Sequence, residues 1–181
     1  MPAIVSLVVR LLALAAAAAP GAQAREFLTP KEIQRIQDAQ KIDERVKIYL
    51  EAAALRIKTA EERLTGKESQ TGDPLEFFSV EEMLDGYYRC LRSVMINLDD
   101  AAQNPRTAPE RLKKALKGLR ESTEKAAKNL EVLKKLAEEK RLEKAWNLVN
   151  QAIDITQGAR AGAELGLSRY PEEKAKARKP R

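Results

Sequence analysis

The sequence predicts an all-α protein, an elongated antiparallel bundle of three to four long helices with coiled-coil-like packing. Three observations carry that expectation. Ala, Leu, Lys and Glu dominate, while aromatic residues make up only 4% of the chain, a balance that suits helix–helix packing better than a sheet. Apolar residues recur in alternating steps of three and four. Three helix starts also carry the same Ser/Thr-x-x-Glu capping pattern, in which a hydroxyl and a carboxylate each satisfy a backbone N–H of the first turn.

The first segment, residues 1–24, reads as a removable signal peptide. Arg10 precedes the apolar run Leu11–Ala19, and Ala22-Gln23-Ala24 has the small-x-small pattern that signal peptidase reads. The competing reading is a membrane anchor, but only nine residues follow Arg10 before Pro20, and a spanning helix needs about 20. The expectation is therefore an exported protein, periplasmic or secreted. The rest divides into a helical domain at 25–168 and a disordered basic tail at 169–181.

The formal net charge of +6 sits largely in that tail, which holds six basic and two acidic residues. Residues 25–168 carry 26 basic and 25 acidic side chains. Such an even mixture leaves no footprint for nucleic acid. No later stretch of the chain is apolar enough to span a bilayer.

Within the domain, Thr29-Pro30-Lys31-Glu32 opens the first helix, with Leu28 and Ile33 as a hydrophobic staple. The helix is expected to run from Pro30 to Thr65, with Val46, Leu50, Ala53, Ile57, Ala60 and Leu64 as its seam. Asp43 falls on the same phase, as a polar interruption. Gly66 to Phe78 reads as a linker. Ser79-Val80-Glu81-Glu82 starts the next helix, whose seam is Val80, Leu84, Tyr87, Leu91, Val94, Leu98 and Ala101, flanked by Met83, Cys90 and Asn97; Asn104-Pro105 stops it.

Thr107-Ala108-Pro109-Glu110 is the third capping pattern. It opens a stripe of Leu112, Leu116, Leu119, Thr123, Ala126, Leu130, Leu133 and Ala137. The phase then slips, and a seam of Leu142, Trp146, Val149, Ile153 and Thr156 follows. A break near 138–141 is expected to send a fourth helix back along the bundle, with a bent continuous helix as the alternative. Gly158, Gly162 and Gly166 weaken the end of that helix by about 1 kcal/mol each relative to Ala; their four-residue spacing fits either fraying or close approach by another helix.

The chain has no histidine and one cysteine. That excludes imidazole catalysis, His-based zinc or haem ligation, and an intramolecular disulfide. Cys90 on an apolar helical face reads as an inert thiol. The adjacent acids Glu61-Glu62, Glu81-Glu82, Asp99-Asp100 and Glu138-Glu139 point about 100° apart on a helix and form no acid–base pair by themselves. No cofactor or metal site is expected, and the chain reads as a non-enzyme.

One cluster stands out as a candidate partner-binding surface. Phe77, Phe78, Tyr87, Tyr88 and Arg89 place half of the eight aromatic residues within twelve positions, and aromatics with arginine make good recognition surfaces. The plainer reading has Phe77 and Phe78 closing the bundle end while Tyr87 joins the seam. The basic tail is a second candidate, either for electrostatic contact with an anionic envelope surface or as a solubilising segment. Leu28-Thr29-Pro30-Lys31-Glu32 resembles, over five residues, the Leu-Thr-x-x-Gln motif of small periplasmic helical chaperones, with Glu32 in place of the Gln. Any stapled capping box produces that pattern, so it carries no family assignment.

The functional expectation is thus an exported, non-enzymatic helical protein that binds a protein partner or itself in the envelope. The alternative is a periplasmic chaperone or carrier of apolar ligands.

Overall fold

The computed structural model describes residues 26–170. The expected signal peptide and residues 171–181 of the basic tail lie outside the described residues. Those described form five α-helices and no strand: α1 Pro30–Asp38, α2 Ile42–Leu64, α3 Val80–Gln103, α4 Pro109–Glu139 and α5 Glu143–Ser168.

The first expected helix is two. Ala39 and Lys41 are extended, with ψ of 104° and 142°, and the chain doubles back so that α1 lies against α2. The cause is a buried ion pair. Arg56 of α2, with 0% of its side chain exposed, bonds Glu32 of α1 at 2.8 Å. In one continuous helix those residues, 24 apart, would stand about 36 Å from each other. Arg35 and Glu51 close a second, exposed ion pair across the same hairpin at 2.7 Å. The buried Ala39 offers its carbonyl to Arg45 Nη2 at 3.0 Å.

The capping boxes of α1 and α3 form as the sequence predicts, around Thr29/Glu32 and Ser79/Glu82. The third does not. Pro109 takes the first helical position of α4, which makes Ala108 the N-cap, and no side chain caps that end. Thr107 stands one residue too early: proline, preorganised for the first turn, sets the start.

The expected seams of α2 and α4 are buried throughout, and that of α3 is buried except at its two ends, where Val80 and Ala101 are half-exposed. The seam of α5 is shifted. Leu142 and Trp146 are exposed and Ile153 half-buried, whereas Ala145, Val149, Ala152, Thr156, Ala159 and Ala163 face the core. Small residues lie inward because α5 packs along most of α4, and the larger side chains fit only at the margin.

Helix α4 ends in a Schellman motif: Leu142 N–H donates to Ala137 O at 2.9 Å and Arg141 N–H to Glu138 O at 3.0 Å. Arg141 has a φ of 54°, the left-handed residue that reverses the chain. The break is therefore a tight turn, with no glycine or proline in it.

Four long helices pack side by side. Helix α2 touches α3 and α4, and α5 touches α4 and α3. Arg45 near the start of α2 reaches Asn97 near the end of α3, and Arg63 near the end of α2 bonds the Phe78 carbonyl just before α3, so these two run in opposite directions. Helices α2 and α4 instead begin side by side, since Asp43 pairs with Arg111 at 3.0 Å. A like-directed neighbour therefore stands beside the antiparallel pair α2 and α3.

The 65–79 linker is wrapped around one side chain. The Arg63 guanidinium donates to Ser69 Oγ and to the carbonyls of Leu75, Glu76 and Phe78. At the far end of the chain Tyr170, which the sequence reading assigned to the tail, is half-buried against the core.

Candidate functional site

Function concentrates where polar groups are sequestered from water. Each of the two buried acids has a structural occupation. Both Glu32 oxygens face Arg56, at 2.9 and 2.8 Å, while Oε2 also accepts from the Thr29 backbone N–H at 2.7 Å. Burial pushes its pKa up, but the Arg56 and Thr29 hydrogen bonds outweigh it and hold the carboxyl below its ordinary value. Arg56 is satisfied in turn by Glu32 and by the carbonyls of Ala52 and Phe27. Asp43 is the same design at the other end of α2. Desolvation raises its pKa, and hydrogen bonds from Lys114 and Arg111 more than reverse that.

The adjacent acids of the sequence reading, Glu61-Glu62, Glu81-Glu82, Asp99-Asp100 and Glu138-Glu139, are all exposed or half-exposed. Among the described residues no group of three or more His, Cys, Asp or Glu side chains is placed to hold a metal ion. Cys90 is fully buried, and that burial pushes its thiol up to about 12.

The five residues of the expected aromatic surface do not share a face. Tyr87 belongs to the core, 1% exposed, with its hydroxyl 2.6 Å from Thr156 Oγ1. Since the Thr156 hydrogen goes to the Ala152 carbonyl, Tyr87 is the donor. Phe78 packs half-buried against the core, and Phe77 beside it is 76% exposed. Tyr88 is half-buried along a shallow cleft between α3 and α5 with Arg92, Met95 and Ile155. Arg89 pairs with Asp85 and lies 5.6 Å from the centre of the Phe27 ring.

A roomier cleft lies elsewhere. A groove of about 710 Å³ follows the like-directed pair α2 and α4. Its floor is Val46, Leu50, Ala54, Ala115 and Gly118. Small residues on facing helices leave room above the seam: even a Cβ on Gly118 would reach Leu50 only at 3.9 Å. The walls differ in charge. Beyond the Asp43–Lys114 ion pair that ties the two helices together at 2.9 Å, the α2 side presents Glu44 and Glu51 with one cation, Lys47, and the α4 side presents Lys117 and Lys125 with one anion, Glu121. An apolar floor between an acidic and a basic wall suits an amphipathic helix laid in one orientation. In the sequence the only trace of this groove is the placing of Ala54, Ala115 and Gly118 beside the seams.

No protein-family model matches the chain, and neither a curated protein nor a solved structure matches it.

Proposed function

We propose that this chain is an exported, non-enzymatic helical protein of the cell envelope, which takes an apolar helix of a protein partner, or of a second copy of itself, into the α2/α4 groove. The observation that carries the reading is the groove itself: a cleft of about 710 Å³, apolar at its base, small-residue lined and walled by opposite charges. The buried acids are engaged in ion pairs that hold helices together, which supports a scaffold over a reaction centre. Export rests on the character of residues 1–24, and the coiled-coil-like seams supply a stiff support for the groove. The basic tail adds electrostatic attraction to an anionic envelope surface, at about 1 kcal/mol per Lys or Arg near that surface.

The chaperone or carrier alternative calls for an enclosed apolar chamber. The clefts between these helices are open and rimmed with charge, which favours a docked helix over a sheltered apolar molecule.

Site-directed photo-crosslinking tests the reading in cells that make the protein. A photoreactive residue at Ala54 or Ser122, both on the groove, is expected to give one discrete protein adduct, absent when it replaces Glu138 at the far end of α4. Equal labelling from all three positions, or none from the groove, defeats the proposal.

A further inference from the structure

A second cleft, of about 510 Å³, lies where α2 and α4 both begin. It shares no lining residue with the α2/α4 groove. Four cations line it, Lys41, Arg45, Arg106 and Arg111, against one acid, Asp100. Two of the four are already occupied: Lys41 pairs with Glu44 at 3.2 Å and Arg111 with Asp43 at 3.0 Å. Arg45 and Arg106 form no ion pair among the described residues. The Arg45 guanidinium is held in place by Asn97 Oδ1 at 3.4 Å and the Ala39 carbonyl at 3.0 Å.

The backbone adds to the same field. Neither the Lys41 N-cap of α2 nor the Ala108 N-cap of α4 provides a side-chain cap. Two helix N-termini without side-chain caps therefore open on one cavity, each the positive end of a helix dipole, with Asp43 and Glu44 in the first turn of α2 and Glu110 in that of α4. Fixed guanidinium forks match the oxygens of a phosphate group. The volume falls within the range of small-molecule sites.

We propose that this cleft binds a small phosphate-bearing ligand, with the half-buried Arg45, held by Asn97 and the Ala39 carbonyl, as the anchor and Arg106 as the arm that reaches it from the α3–α4 connection. A phosphate can arrive on a soluble compound or on a lipid headgroup, and the chemistry of recognition is the same for both.

The test uses the chain from residue 25 to 181 and inorganic phosphate as the probe, titrated by calorimetry against chloride at constant ionic strength. Saturable one-to-one binding is expected, with a Kd below about 1 mM. Arg106→Gln is expected to weaken it about tenfold, as befits one lost charge-assisted hydrogen bond, without moving the thermal midpoint. Lys140→Gln, at the opposite end of α4, should change nothing. Sedimentation with phosphatidic acid vesicles separates the sources: pelleting that Arg106→Gln abolishes assigns the headgroup, and saturable phosphate binding without such pelleting assigns a soluble phosphate compound. A non-saturating titration, or one unchanged in Arg106→Gln, overturns the site. Neither result bears on the α2/α4 groove, so this inference and the proposed function fail separately.

Discussion

Gly86 of α3 leaves the space that Arg56 of α2 fills: a Cβ at position 86 would come within 2.9 Å of Arg56 Nε and 3.0 Å of its Cδ. Helix interiors disfavour glycine by about 1 kcal/mol relative to alanine, so its presence mid-helix has this specific reason.

Gly86→Ala is therefore expected to destabilise the protein by about 1–3 kcal/mol, because overpacking against a side chain pinned by its hydrogen bonds outweighs the propensity gain. Gly158→Ala in α5 meets open space within 4 Å and should stabilise by about 0.5–1 kcal/mol. Urea denaturation of the two variants should move the midpoint in opposite directions.

Removing the partner of a buried cation costs more than removing both charges. Glu32→Gln is expected to cost about 3–5 kcal/mol, whereas Glu32→Leu with Arg56→Met should recover most of that loss. A double-mutant cycle on chemical denaturation reads the coupling; equal stability of the single and double variants would refute it.

The Tyr87–Thr156 hydrogen bond is predicted to be asymmetric. Tyr87→Phe removes the donor and leaves the Thr156 hydroxyl still donating to Ala152, a loss of about 1 kcal/mol. Thr156→Val strands the buried Tyr87 O–H and should cost more, about 1–3 kcal/mol. Thermal melts of the pair settle the order.

Stability should fall at both extremes of pH. Glu32 and Asp43 have folded pKa values below their ordinary 4.5 and 3.8, so the unfolded chain takes up protons first as the solution is acidified. Their stabilising effect is fully present above about pH 5 and is lost as pH falls through the folded values. Cys90, Tyr87 and Tyr49 are raised, chiefly by burial. Their contribution is intact below the unfolded pKa and declines as pH rises, beginning near 9, the ordinary value for the thiol. Cys90→Ala should delay the alkaline limb, and Asp43→Asn should flatten the acid one, in denaturation curves taken from pH 3 to 10.

The seams of α2, α3 and α4 were legible because their largest apolar residues are also the buried ones. In α5 that equivalence fails. Leu142 and Trp146 dominate the hydropathy pattern, yet alanines occupy the narrow space against α4, and periodicity weighted by side-chain size selects the wrong phase. The α1–α2 hairpin was hidden for a related reason: 30–65 contains no helix breaker after Pro30, and the bend rests on side-chain contacts across it, Glu32 with Arg56 foremost, then Arg35 with Glu51 and Arg45 with the Ala39 carbonyl. Its trace is the row Ala52, Arg56, Ala60, a long cation between two small residues on one helix face, opposite a mid-helix glycine. The α2/α4 groove was still less legible, since it depends on two helices starting side by side, and no local pattern reports direction. The aromatic cluster divides because consecutive helical residues point about 100° apart, which sets Tyr87 in the seam, as the plainer reading had it, and Tyr88 at its margin.

A nine-residue helix ordinarily flickers, since its nucleation is unfavourable and its ends open freely. Helix α1 does not have that freedom. The Glu32 carboxylate that caps its first turn also neutralises Arg56 beneath it, so unwinding the turn would strand a guanidinium in the core. The amide protons of α1 should consequently exchange with solvent through the same global opening as those of α2, which makes the smallest helix a member of the slowest-exchanging cooperative unit.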